Sequence, residues 1–204
     1  IECRIGGADA SGPIKEAPVP EGLNWDFWLG PTAKVPFYYE ERERNGRKKA
    51  YTNCHYEFRW WYEYSGGKMT DWGAHHVDIA TWGIGADNSG PTSVEGTAKH
   101  PNVPNGYNTA TEFRATCKYA DGTELVIRDD TENGITFEGE KGTFFVSRGA
   151  LKGKPVDELK DNPLPEGAIE KIYGGKPTSH LATFFNCTSS RQPPISDVLS
   201  PPPS

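Results

Sequence analysis

From residue 93 to residue 147 the chain runs in short apolar/polar alternations separated by turn formers, and this constrains the fold more than any other feature. The runs fall at 93–100, 109–119, 124–129, 134–138 and 143–147. In the second run Thr109, Thr111, Phe113, Ala115, Cys117 and Tyr119 occupy alternate positions and face one side of a pleated strand. Asp121-Gly122 and Glu140-Lys141-Gly142 supply tight turns, and no helical stretch intervenes, which predicts an antiparallel meander instead of a βαβ series. The expected architecture is α+β: one large, mostly antiparallel, open-faced sheet with a few helices packed on one face. A sheet covered on one side leaves the other for solvent or a partner, so a homo-oligomer formed through the sheet face is expected.

Around this meander, Ile1 to Ile5 reads as an entry strand and Gly6 to Gly22 as a Pro/Gly-rich connector. A chain that opens in mid-strand suggests that something precedes it. The segment Gly22 to Pro36 carries Trp25 and Trp28 between turn formers and reads as packed but irregular. Thr52 to Tyr64 reads as a dense aromatic strand, with Tyr56, Phe58, Trp60 and Tyr62 on one face and His55, Glu57, Arg59, Trp61 and Glu63 on the other. Lys68 to Trp82 has the helical period: Trp72, His76, Ile79 and Gly83 form one stripe, and Asp71, His75, Asp78 and Trp82 the adjacent one. Residues 152–177 read as a polar loop, and Ser179 to Ser189 as a second helix with Leu181, Phe184 and Phe185 apolar. A single domain over 1–198 is expected, with 199–204 a frayed Pro/Ser-rich tail.

The size of the chain, 204 residues, lets such a domain bury roughly 70% of its unfolded surface without a disulfide or metal staple. Its formal charge of −6 argues against a nucleic-acid or anionic-membrane partner, since neutralising phosphates takes a concentrated cationic face. The one basic run, Arg42 to Lys49, is broken by Glu43 and Asn45, is centred on Gly46, and reads as a solvated loop tip. Cys3, Cys54, Cys117 and Cys187 lie far apart with no C-x-x-C pair, which excludes zinc-ribbon and thioredoxin readings; three of them sit in apolar alternations as small core side chains. Uninterrupted apolar stretches are a few residues long, far below the ~20 a bilayer requires. The expectation is a soluble chain, cytoplasmic or exported, with the compartment left open.

Chemistry concentrates in Gly66-Gly67-Lys68-Met69-Thr70-Asp71-Trp72-Gly73-Ala74-His75-His76-Val77-Asp78. Residues three and four apart share a helix face, so Asp71 is placed to touch His75, and His75 to touch Asp78. A carboxylate holding one imidazole nitrogen raises the basicity of the other, which prepares a histidine for general acid/base work. Gly73 lets a substrate or a backbone come close. The competing structural reading has a histidine hydrogen-bonded in the core and Asp71 as a helix cap. A metal reading would draw on Asp71, His75, Asp78 and His55, but it has no spacing signature, and no metal is expected. His76, Arg59, Tyr62 and Asp78 are candidate substrate-binding residues. Arg59 and Tyr62 alternate in direction, so at most one is expected to face the pocket. Lys68 reads as an exposed lysine.

This motif resembles the Gly-Gly-x-x-x-Asp-x-Gly-x-His pattern of the Gfo/Idh/MocA oxidoreductases, with Gly66, Gly67, Asp71, Gly73 and His75 in place. The segments Gly22 to Pro31, Phe58-Arg59-Trp60-Trp61, Gly134 to Gly139 and Ser196-Asp197-Val198 extend the resemblance over nearly the whole chain. It implies the C-terminal, substrate-facing domain of an NAD- or NADP-dependent oxidoreductase acting on a sugar or polyol hydroxyl. His75 would then be acid/base to that hydroxyl, and Asp71 would orient His75 or the substrate. The family's dinucleotide-binding fingerprint and its Glu-Lys-Pro segment have no counterpart in the sequence. Gly6-Gly7 with Gly12 runs into Pro13, and Gly83-Ile84-Gly85 follows a helix instead of preceding one. No cofactor-binding residue is therefore expected in this chain, a missing Rossmann domain is its expected partner, and the chain alone is expected to be inactive. Two other readings stand beside this one: a non-catalytic carbohydrate-binding module using Trp25, Trp28, Trp60 and Trp61, which requires an exposed planar row, and a hydrolase built on Asp71 and His75, which lacks an evident nucleophile.

Overall fold

The computed structural model describes residues 1–86, 89–130, 132–173, 175–176 and 178–194. A seven-stranded sheet is built from β1 (Glu2–Arg4), β4 (Ser93–Lys99), β5 (Glu112–Lys118), β6 (Glu124–Arg128), β7 (Gly134–Gly139), β8 (Gly142–Val146) and β9 (Leu151–Gly153). A separate hairpin pairs β2 (Tyr39–Arg44) with β3 (Arg47–Thr52). The helices are α1 (Trp25–Leu29), α2 (Trp72–Gly83), α3 (Lys154–Asp157), α4 (Ala168–Tyr173) and α5 (His180–Ser190). The expected α+β class, with its large and mostly antiparallel sheet, is the class observed. Residues 195–204, which include the expected tail and Ser196-Asp197-Val198, lie outside the described residues.

The five strands of the meander fall where the alternation puts them, but the sheet order is β4-β5-β6-β1-β7-β8-β9. The entry strand slots between β6 and β7, parallel to the first and antiparallel to the second, with Cys3 opposite both Ile127 and Ile135. These three residues, with Ile5, Leu125, Phe113, Cys117 and Ala80, form the main core. Burial pushes the Cys3 thiol up to about 12, as befits an inert core side chain. Helix α2 covers this face and buries Gly73, His76 and Ala80, while Ile79 stays exposed. The buried stripe thus shares His76 with the expected Trp72/His76/Ile79/Gly83 set but runs through Gly73 and Ala80 in place of Trp72 and Ile79. Small residues set the phase: Gly73 meets Ile5, and at Gly83 a methyl group would come within 2.7 Å of the Phe137 ring, so the helix lies close to the sheet where side chains are smallest. Gly73 therefore opens toward the core and not toward a ligand.

Residues Thr52 to Tyr64 do not form the expected strand. The β3 ladder ends at Thr52 because the buried Asn53 carboxamide accepts from the Tyr38 N–H and donates to the Pro36 carbonyl. After it, His55 takes a positive φ of 50° and His55–Trp60 winds as a 3₁₀ helix. Alternation is lost, so adjacent Trp60 and Trp61 are both buried, with Ile14, Tyr51 and Tyr107, in a second core. Within it the Trp60 indole N–H and the Tyr107 hydroxyl both donate to Glu57 Oε2, at 2.7 and 2.9 Å; burial and the Glu57 charge hold the phenol far above its ordinary range.

The basic run is also more than a loop tip. Asn45 and Gly46, with φ of 53° and 71°, make the two-residue turn of the β2–β3 hairpin. Arg42 reaches from the ladder to the carbonyls of Ser11 and Pro13, stacks 4.9 Å over the Tyr51 ring, and so ties the connector to the hairpin. The region 152–177 holds α3 and α4 where a loop was expected. Helix α5 is capped by the Ser179 hydroxyl, which accepts from the Ala182 N–H, and it leaves Leu181, Phe184 and Phe185 exposed. The sheet face away from α2 is polar, with Arg4, Glu2, Arg128 and Asp130 in one ion-pair network. Among the described residues no helix is long and apolar enough to cross a membrane.

Candidate functional site

The site grows from the turn that opens α2. The backbone N–H of Gly66 donates to the Thr70 hydroxyl at 2.9 Å, and that of Asp71 to the Gly67 carbonyl at 3.0 Å. Gly67 takes φ of +66° against Thr109, a conformation that L side chains rarely adopt. This closed turn sets Asp71 at the N-cap position of α2, but its carboxylate makes no capping bond. Instead Arg59 donates to Asp71 Oδ2 at 3.0 Å, with both side chains largely buried. The Arg59 guanidinium is itself sandwiched 3.7 Å from the Tyr56 ring and 4.5 Å from that of Trp60.

The expected Asp71–His75 and His75–Asp78 contacts are not made. His75 is exposed one turn into the helix, its ring 6.0 Å from that of Trp72 and edge-on to it, and no hydrogen bond joins it to either aspartate among the described residues. The physical reason is competition: a largely buried, aromatic-framed guanidinium makes a charge-assisted bond to Asp71 that the exposed His75 ring does not displace. Asp78 is exposed further along α2. His76 points the other way and is 3% exposed, with its Nε2 2.7 Å from Asn133 Oδ1. The carboxamide oxygen accepts, so neutral His76 carries its proton on Nε2, and Nδ1 is buried without a partner. Burial first, and then the charges of His75 and Arg148, hold its pKa below the ordinary histidine value. His76 is thus the hydrogen-bonded core histidine, and it is not placed to meet a substrate.

Trp72 is the hub of the exposed part. His75 lies against it, Arg148 sits 4.5 Å from its ring centroid, and the Lys68 ammonium sits 6.0 Å from that ring and 5.8 Å from that of Trp60. Lys68 is half-buried here, where an exposed side chain was expected. It also lines an open, largely apolar cavity of about 380 Å³ between the 66–70 turn and β4–β5, together with Tyr62, Thr70 and Arg114. Tyr62 stands at this cavity with its hydroxyl 3.0 Å from His100 Nε2, while Arg59 faces Asp71. Sequence reasoning missed Arg148, Asn133 and His100. The first lies in the turn after β8, and no local pattern singles it out.

Among the described residues no three His, Cys, Asp or Glu side chains gather as a metal site, and His75 has no hydrogen bond to a Ser, Thr or Cys. Neither glycine segment forms a dinucleotide cradle: Gly6-Gly7 leads from β1 into the connector, and Gly83-Ile84-Gly85 ends α2. Trp60 and Trp61 are buried and Trp25 stacks on Trp28 at 4.8 Å, so these four tryptophans do not make an exposed planar row. A family model described as "Oxidoreductase family, C-terminal alpha/beta domain" matches residues 10–172. Comparison with curated proteins and with solved structures returns no match.

Proposed function

Because the chain belongs to the Gfo/Idh/MocA oxidoreductase family through its C-terminal α/β domain, we propose that it is the substrate-binding domain of an NAD- or NADP-dependent oxidoreductase acting on a sugar or polyol hydroxyl. The observation that carries this reading is the closed Gly66–Asp71 turn, which presents the exposed His75 imidazole one helical turn beyond a carboxylate held by Arg59. In this reading His75 takes the proton of the reacting hydroxyl. Asp71 has one oxygen on Arg59, so it orients the substrate and not His75. Neither glycine-rich segment leads from a strand into a helix, and in this reading the nicotinamide, which supplies hydride transfer when bound, would be held by a Rossmann domain acting with this one. A sugar-like small molecule and a homo-oligomer formed through the polar sheet face complete the proposal.

Two measurements test it. Titration of the chain with NAD(H) and NADP(H) by calorimetry is expected to show no saturable binding; saturation would place a cofactor site in these residues and overturn the division of labour. In the oxidoreductase assembled with its dinucleotide-binding domain, His75→Ala is expected to lower kcat by about 10²–10⁴-fold, the usual worth of general acid/base catalysis. An unchanged kcat would remove His75 from the chemistry.

A further inference from the structure

The chain as a whole is acidic, with a formal charge of −6, yet the surroundings of Trp72 are not. Lys68, His75, His76 and Arg148 all lie within 6.0 Å of its ring, ring to ring or cation to ring, and none of these four is a carboxylate. Arg59 continues the line across Trp60. The nearest acid of this group, Asp71, is committed to Arg59, and among the described residues neither Lys68 nor Arg148 has an ion-pair partner. Thirteen other ion pairs occur among the described residues, so carboxylates within reach of lysines and arginines are common on this chain, and Lys68 and Arg148 are left without one. One buried donor points the same way: the Arg59 Nε–H lacks a partner. Helix α2 adds the positive end of its dipole, since no side chain caps it.

Two cations, Lys68 and Arg148, held against one aromatic ring without counter-charge are an arrangement that recognises an oxyanion. The aromatic rings fix the cations in place, so little side-chain freedom is lost when the anion arrives. Resting on the reading of His75 above, we propose that the substrate is an anionic sugar, a sugar acid or sugar phosphate, whose carboxylate or phosphate is bound by Lys68 and Arg148 beside Trp72 while its reacting hydroxyl meets His75. The shared chemistry is the oxyanion. Carboxylate, phosphate monoester and the pyrophosphate of a dinucleotide are its three sources, and binding separates them.

The test is NMR titration of the full chain, following the Trp72 indole and His75 ring signals, with glucose, glucuronate, glucose 6-phosphate, inorganic phosphate and NAD as probes. Glucuronate or glucose 6-phosphate is expected to bind about tenfold or more tightly than glucose, to move both signals, and to weaken as salt is raised. Lys68→Gln and Arg148→Gln, each at an accessible side chain, are each expected to lose about tenfold of that affinity, the worth of one charge-assisted hydrogen bond. Glucose binding as well as the sugar anions, with both variants unaffected, overturns the anionic subsite while leaving His75 as the residue that meets a neutral polyol. No shift of His75 with any sugar overturns the underlying reading as well. NAD binding more tightly than the sugar anions at Lys68 and Arg148 overturns the assignment to substrate and gives the cations to the cofactor. Inorganic phosphate binding as tightly as the sugar anions, with no additional shift of His75, marks an adventitious ion only and also overturns it.

Discussion

Replacing Gly67 with alanine tests whether the turn that opens α2 is built as described. Gly67 has φ of +66°, and a non-glycine residue there costs about 1–2 kcal/mol from the backbone alone. In addition, a Cβ at this position would lie 2.7 Å from Thr109 Cβ and 2.8 Å from its Oγ1, and Thr109 is buried and cannot swing aside. Overpacking of this kind costs about 1–3 kcal/mol, so Gly67→Ala should lose about 2–5 kcal/mol in total. Gly122 is the comparison: its φ of +88° carries the backbone penalty, but nothing lies within 4 Å of the added methyl, and Gly122→Ala should lose only about 1–2 kcal/mol. Urea denaturation with the slope held common reads both, and for a chain of this length each kcal/mol shifts Tm by about 2–4 °C. The reasoning is refuted if Gly67→Ala is no worse than Gly122→Ala, because the Thr109 contact would then carry no energy. Partial adaptation by movement of the turn would instead appear in the site, as displaced Trp72 and His75 NMR signals.

Three further outcomes are expected. His76 has a depressed pKa in the folded state, so the unfolded chain binds the proton first; the stability it contributes is full above its unfolded value of 6.5 and drains as pH falls from there toward the folded value. Urea midpoints measured across that window should fall less for His76→Gln than for the parent chain, and equal slopes would remove His76 as the cause. Arg42→Met keeps the stem over Tyr51 but loses the bonds to the Ser11 and Pro13 carbonyls, and should cost about 1.5–3 kcal/mol; a midpoint within error of the parent would show that the connector is held by other contacts. His75→Ala should leave stability within about ±0.5 kcal/mol, since the side chain is exposed and makes no hydrogen bond among the described residues, so a large loss would mean that His75 has a structural partner.

Fold class and the boundaries of β4 to β8 were legible in the chain because both signals are local. A strand shows its period within a few residues, and Asp121-Gly122 and Lys141-Gly142 are read where they stand. Helix α2 was legible for the same reason, but its phase was not. Its contact with the sheet is made through Gly73 and Ala80, and small residues contribute almost nothing to a pattern of hydrophobicity. The Asn45-Gly46 hairpin was legible in principle, since Asn-Gly between two strands is a strong turn signal, but charge on both strands hid it.

Local signals in the chain alone set the alternating meander and the helix that carries Asp71 and His75, and the spacing of Gly66, Gly67, Asp71, Gly73 and His75 carries its resemblance to a family. The tertiary structure decided everything that depends on distant partners. It placed β1 in the middle of the sheet, opposite strands more than 120 residues away, where burial on one face and ladder bonds on both edges outweigh the entropy of closing so long a loop. It ended the aromatic strand at Asn53, whose buried carboxamide had to find its partners in residues 36 and 38. It gave Asp71 to Arg59 and brought Arg148 to Trp72, because a partly buried charge takes the strongest partner that the fold delivers, and periodicity carries no record of which partner that is.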